Sequence, residues 1–396
     1  MKTNVAFFYG CRSVEHEVSI ISAVQAMHAI NREKYEIIPV YVAKNGEMYT
    51  GNSLFDINEY KNLPNLLSKC SKVFFVNENS GVYMKKDAKK KLFSKEEKPV
   101  RIDVAFPVVH GTNCEDGTIQ GYLEYLGIPY VGCDILSSAV GMDKKVFKDV
   151  LKSAGLPCLD CVSFRAREYM TEKERITAEI EQKIGYPLIV KPVNLGSSIG
   201  ISKVKTPEEL EEAVNLAISF SEKVLIEPAV TAIREINCSV LGDADSCEAS
   251  VCEEPYMTGE ILSYGDKYLK NNEGSKGMAS LDRKIPADLP QEKSEEIRKL
   301  ACDIFKAVGA SGVVRIDFII DNDTGKVYAN EINTIPGSLS FYLWDATGIK
   351  YPELIDKLIE LAFRRQRNRD NLTFTIDTNI LSGVSFGTKG AKGAKF

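Results

Sequence analysis

Histidine is scarce in this 396-residue chain, with only His16, His28 and His110. Cysteine is not scarce, but its 10 residues are scattered from Cys11 to Cys302 without a disulfide-framework spacing. The one tight pair, Cys158 and Cys161, follows Pro157 with neither a histidine nor a second pair beside it. Packing therefore accounts for it better than a zinc or dithiol site does. Positive charge is not in surplus either. Fifty Lys and Arg against 55 Asp and Glu leave a net charge of -5, so there is no global basic field for a nucleic acid, although a local cationic pocket stays open. No long apolar run opens the chain, since Val5 to Tyr9 is too short for a signal sequence or a membrane span. The expectation is a reduced, cytoplasmic protein with no membrane or nucleic-acid partner. There is no internal repeat.

What is present is an ordinary globular composition, 44% hydrophobic and 27% charged. At roughly 150 residues per domain, the length predicts two to three domains. Asn4 to Tyr9 reads as a buried strand, Gly10 to His16 as a turn, Val18 to Ile30 as a helix and Tyr35 to Val42 as a strand, which is an α/β opening. The pattern weakens over Gly51 to Lys98, where lysine-rich Lys85 to Lys98 reads as a solvated hairpin or loop. It returns with a strand at Val104 to Val109 and a helix at Ile119 to Leu126. From near Cys133, a helical stripe at 142, 146, 150, 151 and 154 ends at Gly155 and Pro157. Strands around Leu188 to Pro192 and Ile201 to Val204 follow. Thr206, Pro207 and Glu209 predict a capped helix to about Ser219. A third, α+β unit with mainly antiparallel strands holds Ile236 to Leu241, Glu248 to Glu253, Val313 to Ile320 and Val327 to Ile332. It also holds helices at Ser294 to Val308 and Pro352 to Ala362. Beyond about Arg367 the pattern stops and a flexible tail is expected.

The sharpest chemical signal is an acidic hairpin. Asp317 sits in one strand, Asp321 to Gly325 turns the chain, and Glu331 and Asn333 share a face of the returning strand. Three hard oxygen ligands then converge in a way that suits Mg²⁺ bound together with substrate phosphates, with Arg315 beside them. The second signal is Lys191 followed by Gly196-Ser-Ser-Ile-Gly200. Glycines let backbone amides approach an anion, Ser197 and Ser198 add hydroxyls and Lys191 adds charge. The same stretch also reads as an ordinary Gly-Ser hairpin, and it lacks the spacing of a Walker loop. The third is the strand-to-helix turn Gly10 to Ser19, whose Glu15 is either a helix-dipole partner or a counter-ion for a substrate ammonium. His110 to Thr118 is another strand-end loop, where open α/β sheets place ligands. The turn after the first strand lacks Gly-x-Gly-x-x-Gly, which counts against a nicotinamide-dependent dehydrogenase.

In their order and spacing these residues resemble the D-alanine:D-alanine ligase family of the ATP-grasp superfamily, over about residues 4 to 362. The stretches that carry the likeness are Ser13 to Ser19, Val109-His-Gly111, Glu115 to Gly121, Met142-Asp-Lys144, Val190-Lys-Pro192, Gly196 to Gly200, Lys267-Tyr-Leu269, Arg315-Ile-Asp317 and Asn330 to Gly337. The resemblance implies an ATP-grasp architecture with an N-terminal Rossmann-like domain. Its units would be 1–132 for substrate, with a lysine-rich insertion at about 51–98, then 133–227 and 228–365 for the two ATP-grasp halves, and a tail at 366–396.

It further implies ATP-dependent joining of two D-alanines through a D-alanyl phosphate, for peptidoglycan precursors. Lys144, Lys191 and Ser198 would hold ATP phosphates, Glu227 and Glu235 the adenine-ribose end, and Lys267 the γ-phosphate from a closing loop. Asp317, Glu331 and Asn333 would bind two Mg²⁺ ions, or Mn²⁺ in their place. Glu15 would pair with the first substrate's ammonium and link through Ser197 and Tyr268 to the loop, while His110 would line that pocket. Arg315 and the Gly337 N–H would stabilise the oxyanion of the tetrahedral intermediate. Tyr342 and Leu343 stand where the family has a Ser-Leu pair for the acceptor. Tyr268 stands where depsipeptide-forming relatives have His, which favours an amine acceptor, D-alanine before D-serine. A homodimer through the first unit is implied. A non-catalytic nucleotide-binding regulator would have lost a metal ligand or phosphate lysine, and all are present.

Overall fold

A computed structural model describes residues 2–78, 81–87, 98–196, 199–230, 232–255 and 283–384. Ser197, Ser198, Lys267 and Tyr268 lie outside the described residues.

The first sheet is built on fully buried apolar strands. In β1 (Thr3–Gly10), the run Val5 to Tyr9 has no exposed surface, as a parallel strand covered on both faces requires. It pairs in parallel with β2 (Tyr35–Val42) on one side and β7 (Val104–Val108) on the other. Helix α1 (His16–Ala29) crosses between β1 and β2. The sheet does not stop where the pattern fades. β3 (Met48–Thr50), β4 (Ser71–Glu78), β5 (Gly81–Lys86) and β6 (Val100–Ile102) extend it antiparallel to seven strands. The stretch expected as an insertion thus supplies two of the seven strands, β4 and β5. β4 buries Val73 and Phe75 while exposing Lys72, Phe74, Asn77 and Glu78, a one-sided pattern too polar to read as core.

A second sheet, in the order β10 (Ser202–Val204), β9 (Leu188–Pro192), β11 (Lys223–Pro228), β8 (Val162–Arg165), is antiparallel. It packs on α6 (Ala166–Lys183) and α7 (Pro207–Ile218) through residues such as Ile176, Ile180 and Val214. Thr206 caps α7 by position only. Its side chain accepts no hydrogen bond, and Glu209 accepts from the Lys205 N–H at 2.7 Å, so the expected reciprocal capping box does not form.

The third sheet runs β14 (Arg283–Lys284), β13 (Cys247–Pro255), β12 (Ile233–Gly242), β15 (Gly312–Asp321), β16 (Val327–Asn333). All its pairings are antiparallel, as expected, and α8 (Gln291–Ala307) covers one face.

Three corrections concern helices. The stripe expected from 142 to 154 is two helices, α4 (Ile135–Met142) and α5 (Lys144–Ser153), broken at Asp143, whose side chain accepts the N–H groups of Lys145 and Val146. The buried face of α5 is Lys144, Phe147, Lys148 and Leu151, with Val146 exposed. Counting apolar residues misses a face on which two lysines point inward to partners. The last helix, α10 (Tyr351–Asp370), outruns its expected end, so the irregular tail begins at Asn371. Although α10 follows the third unit, its Leu354, Ile355, Leu358 and Ile359 join the core of the first sheet.

Candidate active site

The cleft between the second and third sheets collects charge from both. Lys144 opens α5, Lys191 lies on β9, Glu227 on β11 and Glu235 on β12, and these line one cavity with Asp317 of β15 and Glu331 of β16. The antiparallel register sets Asp317 directly across from Glu331 and Arg315 across from Asn333. A bulge after Asp317 leaves Asn330 unpaired in the ladder, and Lys191 Nζ donates to its Oδ1 at 3.3 Å.

The cations are deeply set. Lys144, Lys148 and Lys191 are 6%, 0% and 4% exposed. Both Lys148 and Lys191 form ion pairs with the two oxygens of buried Glu227, and Lys148 also donates to the Leu159 carbonyl at 3.1 Å. Lys144 donates to the Leu195 carbonyl at 2.6 Å and approaches Glu331 at 3.3 Å. Burial lowers the pKa of Lys191, Glu227 opposes this, and Lys148 and Lys144 lower it further. Burial would raise that of Glu227, but Lys191 and Lys148 outweigh it and hold the carboxyl below its usual range. A lysine surrounded by other lysines gains charge stability when an anion enters, which is the electrostatic demand of a phosphate site.

Asp317 is gripped from two sides. Arg315 donates to it through Nε at 2.6 Å and Nη2 at 2.7 Å, and Asn333 Nδ2 donates at 3.1 Å. Burial disfavours the guanidinium charge, yet Asp317 holds its pKa well above the usual value. Among the described residues, no three His, Cys, Asp or Glu side chains cluster as a metal site. The donor set is instead two carboxylates and one amide. Hard, oxygen-rich and short of a full protein cage, it fits an ion that takes its remaining ligands from substrate phosphates and water.

At the other end of the cleft, Glu15 is the N-cap residue of α1 and makes no side-chain cap hydrogen bond. Its carboxylate lies between two glycines. A methyl group on Gly111 would come within 2.8 Å of Glu15 Oε2, and one on Gly196 within 3.4 Å. Side chains there would fill the space around the carboxylate. His110 Nδ1 bonds the Ile335 carbonyl at 2.9 Å and its Nε2 the Ser22 hydroxyl at 3.0 Å. Burial pushes its pKa down to about 4, the Ile335 carbonyl opposing and Arg315 assisting, so it is neutral at working pH.

Several contributors were missed from sequence. Glu115, quoted only as part of a motif, accepts the Gly111 N–H at 2.9 Å, the Ile335 N–H at 2.8 Å and the Thr334 hydroxyl at 3.3 Å. It therefore ties the first unit to the strand that carries the acids. Burial raises its pKa to about 7, backbone N–H groups working against this and Glu15 with it. Lys148 had a usable signal, a lysine one turn beyond Lys144. Asn330 opens one of the stretches that carry the family likeness but had no signal in periodicity, since a bulge is not legible there. Gly337 opens a turn in which Ser338, Leu339 and Ser340 all have φ near +50°, a left-handed stretch anchored by Ser338 to Ser22 and Gln25. Tyr342 follows it, half-buried, and Leu343 is fully buried in α9 (Phe341–Thr347).

The chain is similar to ligases that join D-alanine to a second D-amino acid. Residues 4–133 match the family described as D-ala D-ala ligase N-terminus and residues 150–360 the one described as D-ala D-ala ligase C-terminus. A D-alanine–D-alanine ligase of Thermosipho melanesiensis is 42% identical over 380 residues, covering 96% of this chain and 98% of the relative. One from Acetivibrio thermocellus is 41% identical over 387 residues, covering 94% and 98%. Among solved structures, the VanG D-Ala:D-Ser ligase of Enterococcus faecalis superposes with a TM-score of 0.76 at 31% identity, covering 91% of this chain and 100% of that one.

Proposed function

This chain belongs to the D-alanine–D-alanine ligase family, and on that premise we propose how its cleft carries out the ligation. It is an ATP-dependent ligase that joins two D-alanine molecules into D-alanyl-D-alanine, the dipeptide of peptidoglycan precursors, with ADP and phosphate as by-products. ATP and divalent-metal use go with the family.

Lys144 and Lys191 hold the phosphates, Glu227 and Glu235 the adenine-ribose end. The observation that carries this is the buried lysine pair facing Asp317 and Glu331 across one cavity. Lys191 leaves Glu227 for phosphate, and Lys148 stays to neutralise the carboxylate. Asp317, Glu331 and Asn333 hold two Mg²⁺ ions, which would supply charge neutralisation on the transferring phosphoryl group. Glu15 pairs with the ammonium of the first D-alanine, in the space that Gly111 and Gly196 leave, and neutral His110 lines that pocket. The first carboxylate attacks the γ-phosphorus and ADP departs. The amine of the second D-alanine then attacks the acyl carbon, and phosphate leaves from the tetrahedral adduct. Arg315 and the Gly337 N–H face the oxyanion of that adduct. Ser197, Ser198, Lys267 and Tyr268, outside the described residues, complete the proposal as phosphate, lid and linking groups.

The test is D-alanine-dependent phosphate release from ATP by the full chain and by Glu331→Gln. Loss of at least a thousandfold in the variant is expected, and wild-type turnover in it would refute the metal role. Running D-serine as acceptor beside D-alanine checks the acceptor, and equal or better turnover with D-serine would overturn the choice of D-alanine.

A further inference from the structure

A buried polar row crosses the third sheet beyond the acids. Register pairs Glu253 with Asn237, Asn237 with Asp317 and Asp317 with Glu331, so these four side chains share one face across β13, β12, β15 and β16. Its far end is organised around Glu253, which is 1% exposed. Asn237 Nδ2 donates to Glu253 Oε1 at 2.9 Å and the Tyr342 hydroxyl donates to the same oxygen at 3.2 Å. Arg283 Nη1 donates to Oε2 at 2.7 Å, and the guanidinium carbon stands 4.2 Å from the centre of the Tyr342 ring.

This cluster reaches the proposed acceptor end of the site. Tyr342 occupies the family's serine position, but its proton is committed to Glu253. Burial, with Glu253, also raises the hydroxyl's pKa, so the proton stays on. A group so engaged is a poor donor to a second carboxylate. Arg283 is better suited. A guanidinium carries five N–H donors, more than one carboxylate takes up, and it binds carboxylates in a fixed fork. Its flat face is fixed on the Tyr342 ring and one edge on Glu253, which removes rotamer freedom before substrate arrives.

We propose that Arg283 meets the carboxylate of the acceptor amino acid, with Glu253 and Tyr342 as positioning residues that hold its guanidinium. The assignment rests on the ligase reading above and on Arg315 and Tyr342 marking the acceptor end. It names a specificity determinant that the family likeness does not supply.

D-Alaninamide has the amine of D-alanine without its carboxylate, so it can accept but cannot be activated. The full chain, ATP and D-alanine are mixed with a fixed excess of D-alaninamide, and the ratio of D-alanyl-D-alanine to D-alanyl-D-alaninamide is read by mass spectrometry. That ratio compares acceptors at a shared intermediate, so slower activation in a variant does not move it. Wild type should favour D-alanine by more than a hundredfold. Arg283→Gln should lower the ratio at least tenfold, Arg283→Lys should fall between, and Tyr342→Phe should change it less than Arg283→Gln. A wild-type ratio in either Arg283 variant, or a larger fall in Tyr342→Phe, overturns the proposal. No dipeptide from wild type would instead overturn the ligase reading.

Discussion

The two ends of the cleft are held by different kinds of contact. At the proposed nucleotide end, Lys148 and Lys191 are long chains whose charged tips share Glu227, while Lys144 pairs with Glu331, so on the proposed reading one would leave for phosphate while another stays. At the amino-acid end, Glu115, His110 and Ser338 bind backbone groups or short side chains of the other unit. The first arrangement exchanges partners at little geometric cost. The second ties the units through short, directional contacts. A polyanion needs movable charge, whereas a reacting carbonyl needs fixed donors.

The strongest test of this contrast is Lys148→Met. Glu227 then keeps one cation in a buried site, and we expect a loss of about 3–5 kcal/mol in denaturant unfolding. The double variant Lys148→Met with Glu227→Gln should recover a good part of it. No recovery would mean that Lys148 acts through packing and not through charge.

The seam at the other end gives a subtler result. Glu115 has its pKa raised to about 7 in the fold, so the folded state binds the extra proton and stability falls as pH rises from about 4.5 to 7. His110 has its pKa lowered to about 4, so the unfolded state binds the extra proton and stability rises with pH from about 4 to 6.5. The two slopes oppose each other. Thermal unfolding across pH 4–7 should be nearly flat for the wild type, rise with pH in Glu115→Gln and fall with pH in His110→Asn, by on the order of 3 kcal/mol over the window. Parallel slopes in both variants would refute the opposed pair.

The smallest expected effect is a gain. Ser340 has φ +50° and a fully buried hydroxyl that finds no partner among the described residues. Glycine relieves both, and Ser340→Gly should raise stability by about 1 kcal/mol, read as a few degrees in Tm. A lower Tm would show that the hydroxyl has a use.

The same contrast explains what was legible in the sequence. The acidic hairpin and the buried strands are local patterns, and their residues are placed as the pattern required, Asp317 opposite Glu331 included, whereas Ser197 and Ser198 of the glycine-rich loop lie outside the described residues. Lys148 hid because lysine counts as surface in any periodicity, although burial with Glu227 is what turns its helix face inward. β4 and β5 hid because strands with one wet face carry little apolar signal. Glu115, Arg283 and Glu253 work through partners 30 to more than 200 positions away, a distance at which one sequence without relatives holds no pairing information.

The packing of α10 also reaches beyond catalysis. Leu354, Ile355, Leu358 and Ile359 complete a core whose other walls, from Val5 to Leu126, are synthesised first. At about 5–20 residues per second, translating the intervening chain takes on the order of ten to fifty seconds. During that interval the nascent first unit carries an uncovered apolar seam on the ribosome. The last long helix is thus the stopper of the first-made lobe, and the synthesis of that helix, more than the making of any one sheet, sets when the lobe can close.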